Sequence, residues 1–145
     1  MTLTTKAQNR VHGGVLTKYS FKSDALSGLD ANMNVFVPPK ATADAPAPVL
    51  YYLSGLTCTE DNAAQKGNFF EAAAAKNIAL VFPDTSPRGA GIPGEDDSYD
   101  FGTGAGFYVN ATQEPYSKHY RMYDHVAYEI PKVIDASDLP IVRVC

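Results

Sequence analysis

The chain has no tryptophan, only two cysteines, no run of basic residues and no long apolar stretch. Cys58 and Cys145 are too few for a disulfide framework, and neither sits in a His/Cys cluster. Free thiols instead suit a reducing, cytoplasmic compartment. Twelve Lys and Arg against sixteen Asp and Glu leave a net charge of −4, which argues against a nucleic-acid partner. The longest apolar runs fall far short of the ~20 residues that cross a bilayer. The opening "MTLTTKAQNRVHGG" lacks the apolar core of a secretory leader. The reading is a soluble cytoplasmic protein that engages neither membrane nor nucleic acid.

What is present is ordinary globular composition, 45% hydrophobic and 19% charged over 145 residues, enough to bury a core. "GGVLTKYSFKSDAL" (13–26) alternates as a half-exposed strand, and "SGLDANMNVFVPP" (27–39) supplies a turn and a partner strand ended by Pro38 and Pro39. "KATADAPAP" (40–48) is a surface loop. "VLYYL" (49–53) is apolar on both faces, as expected of a strand covered by helices on either side. Thr59 followed by Glu60, Asp61 and Asn62 marks a helix start. "NFFEAAAAKN" (68–77) predicts a helix stopped at Asn77, and "IALVF" (78–82) a second doubly apolar strand. A Gly-, Pro- and Asp-rich loop fills 83–115, a length usually kept for function. Met122, Val126, Ile130 and Val133 recur at helical spacing across 116–137, where Pro131 should kink or split the helix. "DLPIVRVC" (138–145) has the character of another strand.

The chemistry is concentrated at "YYLSGLTCTEDN" (51–62), where an apolar strand gives way to an uncharged loop of Ser54, Gly55, Leu56, Thr57 and Cys58. Taken in order with "FPDTSPRG", "GAGFYVNATQEPYSKHYRMYDHV" and "EIPKVI", it closely resembles the S-formylglutathione hydrolase, or esterase D, family from about residue 8 to about residue 140. The resemblance implies an α/β-hydrolase fold. Residues 1–145 would be the amino-terminal part of one such domain, stopping before the nucleophile strand and holding the first four strands and their helices. It implies a serine thioesterase that converts S-formylglutathione and water to glutathione and formate and also takes simple esters. No metal or organic cofactor is required, the partner is a small-molecule substrate, and a homodimer stays open. In this fold the loop after the third strand supplies an oxyanion-hole N–H. The family pattern puts that role on the Leu56 amide, with Gly55, Thr57 and Cys58 lining the cleft.

The family's G-H-S-M-G-G nucleophile elbow is missing, since no G-x-S-x-G occurs anywhere in the chain, and no member of the triad can be assigned to a residue here. The chain is therefore expected to be catalytically inactive alone. With no nucleophile strand beside it, the edge of 49–53 should stay unpaired and invite aggregation. The rival reading is a non-catalytic fragment acting as an interaction module. Ser54 reads as a structural loop serine, Cys58 as a non-catalytic thiol, "GTGAGFY" (102–108) as a flexible turn and "EDDSYD" (95–100) as a solvated acidic loop. Tyr116, Tyr120, Tyr123 and Met122 are expected to pack the last helix on the sheet.

Overall fold

The computed structural model describes residues 2–144, so Cys145 lies outside the described residues. Six strands form one mixed sheet in the order β1-β2-β3-β5-β4-β6. They are β1 (Thr4–Val11), β2 (Gly14–Lys22), β3 (Asp30–Val37), β4 (Ala47–Tyr51), β5 (Ala79–Pro83) and β6 (Ile141–Val142). β2 and β3 form the antiparallel hairpin that alternation predicts, with Tyr19 opposite Met33. β1 has no counterpart in the sequence expectation. Its "TTKAQNRV" is exposed over seven of eight residues, so no apolar rhythm announces it. The turn at His12 (φ 46°) and Gly13 (φ 78°) folds it back on β2, the two-residue left-handed geometry that suits a twisted hairpin.

β5 is the centre of the sheet. It pairs antiparallel with β3 and parallel with β4, and all five of its residues are buried. Successive side chains of a strand face opposite ways, so β3 and β5 divide the core in two. Met33, Val35 and Val81 join Phe21, Ile130, Val133 and Ile134 on one face. Phe36, Leu80 and Phe82 join Ala64, Phe70 and Ala73 on the other. Full burial of one such phenylalanine stabilises the fold by roughly 1.5–3 kcal/mol.

The second face is covered by α1 (Glu60–Lys66) and α2 (Phe70–Lys76). Thr59 caps α1 in a reciprocal box with Asn62, satisfying two otherwise orphaned N–H groups. Asn77 ends α2 in the left-handed conformation at φ 54°. The first face is covered by α3, a helical stretch that is α over Met122–Asp124, π over His125–Glu129 and α again over Ile130–Asp135. Pro131 does not split it. The wider π turn immediately before Pro131 accommodates a residue that cannot donate to the preceding turn.

Two expectations about the strand at 49–53 need correction. Its edge is not wholly unpaired, because β6 lies parallel to it, with Ala47 opposite Ile141 and Pro48 opposite Val142. Beyond Pro48 no described residue pairs this edge. Nor is the strand buried on both faces: Leu50 is 53% exposed, and Tyr52 and Leu53 are also exposed. On one face of β4, Val49 and Tyr51 pack against the cluster that holds the α3 residues Ile130, Val133 and Ile134, whereas Leu50 on the other face lies outside the α1–α2 cover of β3 and β5.

Candidate active site

β4 hands the chain to a tight turn. Cys58 N–H donates to Gly55 O at 3.1 Å, closing a four-residue turn with Leu56 and Thr57 at its centre. Thr57 has φ 64°. A positive φ at the third residue is the signature of a type II turn, and glycine is the usual occupant. Threonine is β-branched and strained there. In a trans peptide the C=O and the next N–H point in opposite directions. Gly55 O is drawn toward Cys58, so the Leu56 N–H is turned away from the turn, and it has no partner among the described residues. A Cβ placed on Gly55 would meet nothing within 4 Å, so the space beside this amide is open.

Residues 84–122 wrap against the turn. Asp84 is buried and receives Arg88 through Nε at 2.5 Å and Nη2 at 3.1 Å. Burial pushes the Asp84 carboxyl above its ordinary value, opposed by the Arg88 guanidinium and the Ser86 N–H. The same pairing holds the guanidinium more firmly charged. Arg88 Nη2 also donates to Cys58 O at 3.1 Å.

Glu95 is buried rather than solvated, a correction to the acidic-loop expectation that leaves the rest of 96–100 exposed. Its carboxylate accepts the Gly91 and Ile92 N–H groups at 2.7 and 3.2 Å and the Tyr120 hydroxyl at 2.7 Å. Burial, then this bond, raises the Tyr120 phenol well above its usual value. Gly102, at φ 74°, passes so close that a Cβ would stand 2.1 Å from Glu95 O. "GTGAGFY" is thus a packed turn that no side chain at 102 could join.

This wrapping leaves a cavity of about 300 Å³, large enough for a small ligand. Tyr116, Tyr120 and Met122 wall it rather than packing α3 on the sheet, and Tyr123 is 48% exposed. No charged side chain lines it. Gly55, Leu56, Thr57 and Cys58 are not in its wall. They sit beside it, because Gly106 lines the cavity and its Cβ position would lie 4.0 Å from Gly55 C and O. Gly55, Leu56 and Thr57 are exposed, Cys58 is half-buried and Ser54 is buried. Among the described residues no group of three His, Cys, Asp or Glu side chains gathers as a metal site.

One cluster escaped the sequence reading. Ser23, His125 and Glu129 are almost wholly buried together. Ser23 Oγ donates to Glu129 Oε2 at 2.5 Å, His125 Nδ1 lies 2.6 Å from the same oxygen, and the Asp24 and Ala25 N–H groups donate to Oε1 at 2.6 and 3.0 Å. The residue types match a hydrolytic triad, but the order of contacts does not. The serine proton is committed to the carboxylate, whereas a nucleophilic serine gives its proton to the histidine. The cluster fastens the β2–β3 turn to α3. A helical spacing of four between His125 and Glu129 was its only sequence signal.

Comparison with known proteins gives matches to a family model, to curated relatives and to solved structures. The Esterase family model, described as "Putative esterase", matches residues 23–138. The mouse S-formylglutathione hydrolase is 46% identical over 137 residues, covering 94% of this chain and 48% of the relative. The Arabidopsis thaliana enzyme of the same name is 47% identical over 132 residues, 91% of this chain and 46% of the relative. A solved S-formylglutathione hydrolase from Agrobacterium tumefaciens superposes with a TM-score of 0.89 at 41% identity, over 95% of this chain and 49% of that one. A ferulic acid esterase from Anaeromyces mucronatus, at 19% identity and a TM-score of 0.54, shares the fold. These neighbours have the α/β-hydrolase fold, and the chain spans about half the length of the curated relatives it matches.

Proposed function

Because the chain belongs to the esterase family, we propose that it carries the oxyanion-hole half of an S-formylglutathione hydrolase-like serine thioesterase, working in the cytoplasm on a small thioester. The observation that carries this reading is the Leu56 N–H, which has no partner among the described residues, in a turn whose Gly55 O, Thr57 N–H and Cys58 N–H and O are all bonded. In the complete enzyme a serine oxygen would attack the thioester carbonyl, and the carbonyl oxygen would take up negative charge. An N–H already aimed at that oxygen lowers the barrier, and losing one such donor costs roughly 3–4 kcal/mol. Glutathione leaves as the thiol, and water then releases formate from the acyl-serine. No G-x-S-x-G occurs in these 145 residues, so the nucleophile, its histidine and its aspartate are not assigned to this chain. The donor also needs cover. Leu56 is 45% exposed, and in water a fixed dipole acts far more weakly than in a closed site.

The test joins this chain in one polypeptide to the second half of the Agrobacterium relative. Alone, the chain should hydrolyse 4-nitrophenyl acetate no faster than background. Joined, it should hydrolyse S-formylglutathione, and Leu56→Pro should cut kcat about 10²–10³-fold. Proline suits the second position of a type II turn, so this change deletes the N–H while keeping the turn. Full activity in the proline variant would sink the reading. The exposed Leu50, Leu53 and Val142 favour a second reading, a non-catalytic module that docks a partner through its sheet. A joined chain that folds but turns over no ester would favour it.

A further inference from the structure

The 55–58 turn is gripped from outside at three points, all by one segment. Tyr108 Oη donates to Ser54 O at 2.7 Å, with Thr85 Oγ1 on the same oxygen at 3.4 Å. Thr57 N–H donates to Gly104 O at 2.8 Å. Arg88 Nη2 donates to Cys58 O. The gripping groups are themselves fixed. Arg88 is held by Asp84, Asp84 accepts the Ser86 N–H at 3.1 Å, and Ser86 Oγ accepts the Gly104 N–H at 2.7 Å. The three ties fall at 54, 57 and 58, on both sides of the Leu56 amide, and none of them uses it.

The direction of an N–H is set by the peptide plane that carries it. The plane between Gly55 and Leu56 is bounded by the 54–55 and 56–57 peptides: Tyr108 holds the carbonyl of the first, Gly104 O accepts the N–H of the second, and Arg88 holds the 58–59 peptide that closes the turn. Gly55 has no Cβ to resist rotation. Thr57 keeps a left-handed conformation that threonine disfavours, and such strain persists only where the surroundings impose it. We infer that Tyr108 and Arg88 are positioning residues that set the direction of the Leu56 amide, Arg88 acting with Asp84 as its anchor. The inference rests on the oxyanion reading above for its meaning in catalysis, but the grip on the turn can be measured without it.

The reporters are the Thr57 and Cys58 amides, both bonded within or across the turn. Amide hydrogen exchange is followed by NMR in the chain itself, in Tyr108→Phe and in Arg88→Lys. Phenylalanine deletes one hydroxyl. Lysine keeps the charge for Asp84 but lacks the fork that reaches Cys58 O at the same time. Exchange at Thr57 and Cys58 should quicken at least ten-fold in each variant, while the Leu80, Val81 and Phe82 amides of β5 keep their rates. Unchanged exchange at the turn, or equal acceleration in β5, would overturn the inference. In the joined enzyme the same variants should lower kcat about ten-fold and leave KM within two-fold, a split that general loosening would not give. If the joined enzyme bearing Tyr108 and Arg88 is itself inactive, the oxyanion reading falls, and the exchange rates still decide whether these side chains aim the turn.

Discussion

Replacing Glu129 with alanine tests how the fold is fastened. Four hydrogen bonds end on this carboxylate, from the Ser23 hydroxyl, His125 Nδ1 and the Asp24 and Ala25 N–H groups, and its side chain is 6% exposed. Alanine strands the two backbone donors and the imidazole in a space closed to water. The serine hydroxyl loses its acceptor too, although its oxygen still accepts the Leu26 N–H at 3.0 Å. Each buried donor left without its acceptor costs about 1–3 kcal/mol, so the loss should be roughly 3–5 kcal/mol, a large share of the 5–15 kcal/mol that typically holds a domain. With a urea slope of about 2 kcal/mol per molar, the midpoint should fall by roughly 2 M.

Glu129→Gln should lose less, about 1–2 kcal/mol, because one amide oxygen can still accept from the backbone. The pH dependence carries a second signature. Burial alone would raise the Glu129 carboxyl, but the bonds from His125, Ser23 and the Ala25 N–H outweigh it and hold the group below its ordinary 4.5. A depressed folded-state value means that the unfolded chain takes the proton first. The contribution is therefore complete above pH 4.5 and fades as pH falls through the folded value. Wild type and Glu129→Ala should then converge in stability in acid. A loss under about 1 kcal/mol at neutral pH, or a gap that stays constant down to pH 3, would refute this account.

Two further outcomes can be checked by similar means. Thr57→Gly should raise stability by about 1 kcal/mol in urea unfolding, because φ 64° costs threonine more than glycine loses in chain entropy; a lower midpoint would mean that the threonine side chain holds the turn in a way its contacts do not show. Leu50→Lys should reduce self-association measured by light scattering, with stability within about 0.5 kcal/mol of wild type, since it removes an exposed apolar side chain beside a partly unpaired strand edge; unchanged scattering would exonerate this edge.

Much of the architecture is legible because it is local. The β2–β3 hairpin follows from alternation, α1 from a Thr59 cap followed by acids in the first turn, and α2 from an alanine run closed at Asn77. What escapes the sequence is held by partners far along the chain. Glu95 and Glu129 look like surface acids in any short window. They are buried because donors 25 and 104–106 positions away meet them. Leu50 fails the opposite way: its neighbours read as a buried strand, but the helices that would cover it lie over β3 and β5 instead. β1 is silent because an exposed strand needs no apolar rhythm.

The candidate site divides along the same line. Its position after an apolar strand is visible in "YYLSGLTC", and the family resemblance points to Leu56. The grip that aims Leu56 is not visible, because Arg88, Gly104 and Tyr108 lie 30, 47 and 54 positions from their partners. The glycines of 89–106 make that grip possible. Six of them adopt positive φ, which lets the loop fold tightly enough to present Gly104 O and the Tyr108 hydroxyl to the turn. A loop of ordinary residues would pay strain at each of those bends. The strain is concentrated instead at Thr57, the residue flanked by the ties. A turn that kept its shape unaided would have no need of such a loop, so the glycine-rich segment and the bare Leu56 amide are best understood as one device.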